Sequence, residues 1–184
     1  MYKLKLGNPT AHGQELPKLN IKLPFENMAN DDLYIIDTSA ILSGKLNITE
    51  ENYIFPDSVL SEIKKGNFAA IFDYITVKSM KPSPKYIEIA RAQASRTGDL
   101  NVLSETDIDV IALAIELNGT IITDDYAIQN VAKSAGIKYS GSGIDQIKKE
   151  IKWKYRCTGC HKVFNEYIEI CPICGHEVKR FSKR

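Results

Sequence analysis

Cysteine is missing from the first 156 residues of this 184-residue chain; all four cysteines lie between Cys157 and Cys174. A disulfide framework is usually spread through a small secreted fold, so this clustering argues against one and points to metal. Long apolar runs are missing as well. The longest, Val110 to Ile115, is far too short to cross a bilayer. The opening stretch MYKLKLGNPTAHGQE has no apolar core behind its basic residues, so no secretory signal is expected and the location is expected to be cytoplasmic. There is no internal repeat and no low-complexity tract.

What is present suits a soluble globular protein: 43% hydrophobic and 26% charged residues. The length allows one sizeable core and one small module. The net charge of +1 hides an asymmetry, because residues 1–147 carry 14 Lys/Arg against 19 Asp/Glu and residues 148–184 carry 10 against 4. An acidic body with a dense basic end suggests a polyanion partner for that end.

Short β-type runs alternate with helical patterns. Strands are expected at Leu33–Ile36, Tyr53–Phe55, Ile75–Val77, Thr120–Thr123 and Ile137–Tyr139. A short helix, Ala40–Ser43, is capped by Thr38-Ser39. A second opens at Pro56-Asp57-Ser58, with Val59, Leu60, Ile63 and Phe68 facing the core. A third runs from Pro84 to Gly98. The fourth starts at Ser104-Glu105-Thr106-Asp107 and ends at Asn118-Gly119, and the last spans Ala127–Ala135. This order predicts an α/β fold, a parallel sheet with helices on both faces. The expected organisation is an extension over 1–31, an α/β domain over 32–143, a basic linker over 144–154 with helix at Ile144–Glu150, a metal module over 155–178 and a basic tail over 179–184.

Asp37, Glu62, Asp107 and the pair Asp124-Asp125 are the acids that matter. In an open parallel sheet the carboxyl ends of the strands share one edge, so Asp37 after the first strand and Asp124-Asp125 after a later one can meet. Asp107 opens its helix, and Glu62 projects from a helix whose neighbouring positions look buried. Each aspartate alone is most simply a helix cap and Glu62 a surface residue. Asp37 resists that reading, since Thr38 and Ser39 can cap equally well. A cluster of such acids repels itself unless a cation neutralises it. No His or Cys lies near, so an oxygen-bound Mg²⁺ or Mn²⁺ fits best, and such ions serve phosphodiester hydrolysis. Asp109 points elsewhere on its helix. Ser39 and Thr123 either orient a metal shell or act as caps.

The segments YIIDTSAIL, PDSVLSEIKKG and LSETDIDVIALAIELNGTIITDDYAIQNVA resemble a PIN-domain nuclease in order and spacing. The resemblance implies a PIN-like sheet and metal binding by the residues matching that family's acids: Asp37, Glu62, Asp107, and Asp124 or Asp125. RTGDLNVLSETDIDVIALA further resembles the branch of the family that matures small-subunit rRNA and carries a C-terminal zinc ribbon. That implies cleavage of precursor small-subunit rRNA at its 3′ end, within or near a pre-ribosomal small subunit and its assembly factors.

Cys157-x-x-Cys160 and Cys171-x-x-Cys174 form two tight turns able to complete a tetrahedron around a structural Zn²⁺. The closed set leaves no open position for catalysis. Val163, Phe164, Tyr167 and Ile168 are available to pack the hairpin between them, and His161 and His176 are expected at the surface. Lys152, Trp153, Lys154 and Arg156, with Tyr155 among them, alternate basic and aromatic side chains. They are candidate RNA contacts, with the equal alternative that the rings pack the ribbon while the cations face water. Lys179, Arg180, Lys183 and Arg184 close the chain with positive charge. Two other functions compete with rRNA maturation: a PIN-type toxin or mRNA-decay ribonuclease, which usually lacks such a ribbon, and a non-catalytic RNA-binding assembly factor, which has no need of the acidic set.

Overall fold

Apolar strand runs without alternation belong to a sheet covered on both sides, and that is how the described residues up to Ser140 fold. The computed structural model describes residues 33–182 apart from 49, 51, 66–71, 73–74 and 144–145. The expected extension 1–31, Phe68, Lys183 and Arg184 lie outside the described residues. The element order is β1 (Tyr34–Ile36), α1 (Thr38–Leu42), β2 (Tyr53–Pro56), α2 (Asp57–Lys65), β3 (Lys78–Met80), α3 (Pro84–Thr97), α4 (Glu105–Leu117), β4 (Thr120–Ile122), α5 (Tyr126–Ala135) and β5 (Tyr139–Ser140). The strands pair in parallel in the order β3-β2-β1-β4-β5.

Ile35 and Ile36 lie beside Ile121 and Ile122, and all four are fully buried. Burial of each such side chain contributes about 2–3 kcal/mol. The Val110–Ile115 run sits in α4, which buries Thr106, Ile108 and every residue from Val110 to Ala114. A helix apolar nearly all round must lie inside. Among the described residues no helix is long and apolar enough to cross a membrane.

Two expected strands shift. The Ile75–Val77 run is loop whose Ile75 and Val77 pack on the core, and the strand starts at Lys78. That strand is the sheet edge, exposed throughout, where polar residues discourage further pairing. Ile137 is not in β5 either. Its N–H donates to the Ala132 carbonyl and closes the end of α5, so pairing begins at Tyr139. The chain reverses direction across the sheet between β1 and β4, the place where open parallel sheets bind ligands.

The second sheet is antiparallel, β7-β6-β8, built from β6 (Trp153–Cys157), β7 (Val163–Phe164) and β8 (Val178–Ser182). Lys179 and Arg180, expected in a tail, are strand residues because they pair with Arg156 and Tyr155. The linker is also not the expected helix: residues 146–152 have no helical turn. Two buried amides of α5 satisfy its backbone instead. The Ile147 N–H donates to Gln129 Oε1 at 3.0 Å, and Ile151 exchanges two bonds with Asn130 at 2.7 and 3.1 Å.

Candidate functional site

The sequence places an aspartate at the carboxyl end of β1, and the structure buries it. Asp37 is 2% exposed. It is the N-cap of α1, the role expected of Thr38-Ser39. Its Oδ1 accepts from the Thr38 N–H at 2.7 Å, and its Oδ2 accepts from the hydroxyls of Ser39 at 2.5 Å and Thr123 at 2.7 Å. The cap and the link to the end of β4 are therefore one arrangement, because the carboxylate that caps α1 also accepts from Thr123. Thr123 directly follows β4 and Ser39 lies in the first turn of α1, and their hydroxyls meet at 3.2 Å. Burial raises the pKa of Asp37 above the usual carboxylate range, against the lowering effect of these hydrogen bonds.

Glu62 reaches this edge from α2. Its Oε2 accepts from the Thr38 hydroxyl at 2.9 Å and its Oε1 from the Thr106 hydroxyl at 2.5 Å. The two threonines adjoin Asp37 and Asp107, so Glu62 bridges the N-termini of α1 and α4 between those aspartates. Asp107 is held by a capping box: its N–H donates to Ser104 Oγ at 3.2 Å, and its Oδ2 accepts from the Ser104 N–H at 2.7 Å. Burial raises its pKa, and the negative charges of Asp37 and Asp125 raise it further.

The two adjacent aspartates bind different partners. Asp124 turns toward the loop after β5: its Oδ1 accepts from the N–H groups of Ser142 and Gly143 at 2.8 and 3.1 Å, and its Oδ2 from Ser142 Oγ at 2.6 Å. Asp125 caps α5, both of its cap bonds using Oδ1, and its charge is felt at Asp107. Asp37, Glu62, Asp107 and Asp125 thus share one edge, and Asp124 shapes its wall. Thr38 and Thr106 are additions that sequence reading missed. Each directly precedes or follows an acidic residue in a capping pattern, which was the available signal.

This donor set suits a hard divalent ion: oxygens only, crowded negative charge, and no described Lys, Arg or His within ion-pair distance of the four acids. The donors are not drawn into one tight shell. Among the described residues, the four cysteines are the one group of three or more such ligands whose donor atoms all lie within 4.8 Å. An octahedral ion that keeps several waters is compatible with the wider spacing.

In the ribbon, the Cys157 and Cys174 sulfurs are 3.3 Å apart and those of Cys160 and Cys171 are 3.7 Å apart. These distances are too long for disulfides, whose sulfurs bond at about 2.0 Å, and all four sulfurs lie within 4.8 Å of one another, close enough to share one metal ion. Each turn is followed by a left-handed residue, His161 at φ 61 and Gly175 at φ 71. Tyr155, Cys157, Cys171 and Val178 are buried together, with Phe164 and Ile168 packed on them. Tyr167 meets the Tyr155 ring edge-on, whereas Val163 stays exposed. His161 and His176 are exposed.

The alternating strand divides its residues between two faces. Trp153 and Tyr155 turn toward the α/β body: the indole Nε1 donates to Asp99 at 2.8 Å and the Tyr155 hydroxyl to the Gly98 carbonyl at 3.2 Å. Lys154 and Arg156 share the opposite face with Lys179 and Phe181, and the Arg156 guanidinium lies 4.3 Å from the Phe181 ring centroid. Lys152 is exposed just before the strand.

Comparison with known proteins identifies the family. The description "PIN domain of ribonuclease" matches residues 34–117, and "PINc domain ribonuclease" matches residues 84–152. The chain is 48% identical over 155 residues to Ribonuclease VapC1 of Thermoplasma acidophilum, covering 83% of this chain and 80% of that protein. It is 38% identical to Endoribonuclease Nob1 of Archaeoglobus fulgidus, covering 79% of this chain and 89% of that protein. It is 41% identical to Endoribonuclease Nob1 of Methanocaldococcus jannaschii, covering 79% and 76%.

Proposed function

Because the chain belongs to the PIN-domain ribonuclease family, we propose that it is the endoribonuclease that cleaves precursor small-subunit rRNA at its 3′ end during ribosome biogenesis in the cytoplasm. The observation that carries this reading is the hydrogen-bonded series Asp37–Thr38–Glu62–Thr106, which ties two acids and the starts of α1 and α4 to α2 at the sheet's switch point. Asp37, Glu62, Asp107 and Asp125 would hold Mg²⁺ or Mn²⁺. Such an ion polarises a phosphate oxygen and activates water. The residues around it do the positioning. Thr38 and Thr106 hold both oxygens of Glu62, Ser39 and Thr123 fix Asp37, and the Ser104 box fixes Asp107. The ribbon, with Zn²⁺ on its four thiolates, offers Lys154, Arg156, Lys179 and Phe181 as cations and a ring for RNA phosphate and base. Pre-ribosomal particles and their assembly factors are the partners this substrate brings.

The test is cleavage of an RNA spanning the small-subunit 3′ end with Mn²⁺, wild type against Asp37→Asn. Wild type is expected to cut once at that end, and the variant is expected to lose at least about a hundredfold, the scale of losing a group that stabilises the transition state. Equal cutting by both proteins would overturn the acidic-site assignment. A second reading, a toxin-like or mRNA-directed ribonuclease, draws on the name of the VapC1 relative. It predicts indifferent cutting of unrelated mRNA under the same conditions. A purely scaffolding role predicts binding without cleavage.

A further inference from the structure

Asp99 is a carboxylate that the cleft does not use, yet its burial is complete, at 0% exposure. It follows Gly98 at the end of α3, and the partners of its carboxylate all lie at least 31 positions away. Its Oδ1 accepts from Trp153 Nε1 at 2.8 Å and from an Arg180 guanidinium nitrogen at 3.0 Å. Its Oδ2 accepts from Asn130 Nδ2 at 2.7 Å. One buried carboxylate therefore ties together α3, α5 and both long strands of the ribbon. Arg180 also lies 4.2 Å from the Trp153 ring centroid, stacking the two residues that grip the acid. Gly98 belongs to the same joint. Its φ of +79 closes α3, and a Cβ there would stand 2.8 Å from the Tyr155 hydroxyl that donates to its carbonyl. Asn130 meanwhile holds Ile151, so the linker enters the ribbon already pinned.

A fully buried carboxylate with every partner in place, here including a partly exposed arginine, gives little net stability but favours one arrangement, because removing a partner leaves a charge stranded. A loose tether would need none of this. The outer face of the ribbon, with Lys154, Arg156, Lys179 and Phe181, is turned away from the joint. We propose that Asp99 is a positioning residue, a buried latch that holds the ribbon in one orientation on the nuclease body so that RNA on the ribbon's outer face enters the acidic cleft in a single register. The idea rests on the ribonuclease reading above. Asp99 touches no acid of the cleft, and the Ser104 box fixes Asp107 separately, so the latch governs where the chain is cut rather than whether it is cut.

The test uses the zinc-loaded full chain. Trp153 is the single tryptophan, so its indole N–H signal and fluorescence report the latch directly. In the wild type, backbone ¹⁵N relaxation is expected to give ribbon and body one tumbling time. In Asp99→Ala the ribbon is expected to tumble separately, with the indole signal moved to its solvent-exposed position. Tyr155→Phe, which removes one hydroxyl, is the milder second variant and is expected to shift the indole signal part-way. On an RNA spanning the small-subunit 3′ end, Asp99→Ala is expected to spread one cut over several neighbouring phosphates. On an oligouridine of about ten nucleotides, within the span of a small single-strand site, its rate is expected to stay within about twofold of wild type. Independent tumbling in the wild type, or a freed ribbon that still gives a single cut, would overturn the latch. Failure of both proteins to cut any RNA would sink the ribonuclease reading and the register with it, while the tumbling times would still decide whether the joint is rigid.

Discussion

Thr106→Val removes one hydroxyl from the acidic edge and leaves the shape almost unchanged. Thr106 is buried, so valine keeps the packing at the start of α4. What is lost is the 2.5 Å bond to Glu62 Oε1. A hydrogen bond to a charged group contributes about 1.5–3 kcal/mol, and the exposure of Glu62 places this one at the lower end. About 1.4 kcal/mol is tenfold in binding, in line with the 10–100-fold loss typical when a ligand's hydrogen-bond partner is removed. The Mn²⁺ concentration for half-maximal RNA cleavage is therefore expected to rise about tenfold, with little change in rate at saturating metal. Thr38→Val removes the 2.9 Å bond to Oε2, and the double variant is expected to need about a hundredfold more metal by the same count. The assay is a Mn²⁺ titration of cleavage, with thermal melting as a check on folding. An unmoved half-point in the double variant, with a normal melt, would refute the placement of Glu62 as a metal ligand oriented by these threonines.

The two aspartates after β4 should separate cleanly. Asp125→Asn is expected to lose at least about a hundredfold in cleavage. Asp124→Asn should keep its rate within about threefold but melt earlier, by about 1–2 kcal/mol, because it weakens the Ser142–Gly143 turn. Without Mg²⁺ or Mn²⁺, burial holds the pKa values of Asp37 and Asp107 above the ordinary aspartate value of 3.8. In that window the folded state binds more protons than the unfolded state. Their contribution is therefore favourable at low pH and is lost as pH rises from 3.8 through the raised folded values. The difference in melting temperature between wild type and Asp37→Asn across acid pH measures this, and a wild-type advantage that grows with pH would contradict it. Adding Mn²⁺ at neutral pH should raise the wild-type melt. Chelating the zinc should unfold the ribbon and spare the parallel sheet, since the two cores are separate. Hydrogen exchange should show faster amides only in the ribbon and in the segments resting on it, residues 98–103 and 146–152.

Much of this molecule was legible as text because its signals are local. β1, β2, β4 and the long helices carry their own periodicity and caps, and the two C-x-x-C turns state their chemistry by spacing alone. Where local signals were weak, reading failed. Ile75–Val77 looks more strand-like than Lys78–Met80, yet edge position rather than hydrophobicity selects the strand. The linker looked helical because nothing in its own residues reveals that Gln129 and Asn130 would take over its backbone bonds. Asp37 was weighed as a cap or a site residue, and the fold makes it both.

The sequence by itself determined an α/β body and a cysteine-held ribbon and named the candidate acids, since residue type, period and spacing are written along the chain. Only tertiary structure decided that Asp124 binds the Ser142–Gly143 turn, which threonines orient Glu62, and that Trp153 grips Asp99 instead of meeting solvent. Those choices depend on side chains many positions apart brought within about 3 Å of each other, a range at which hydrogen bonds have direction. Direction of that kind exists only after the sheet order has set which loops are neighbours.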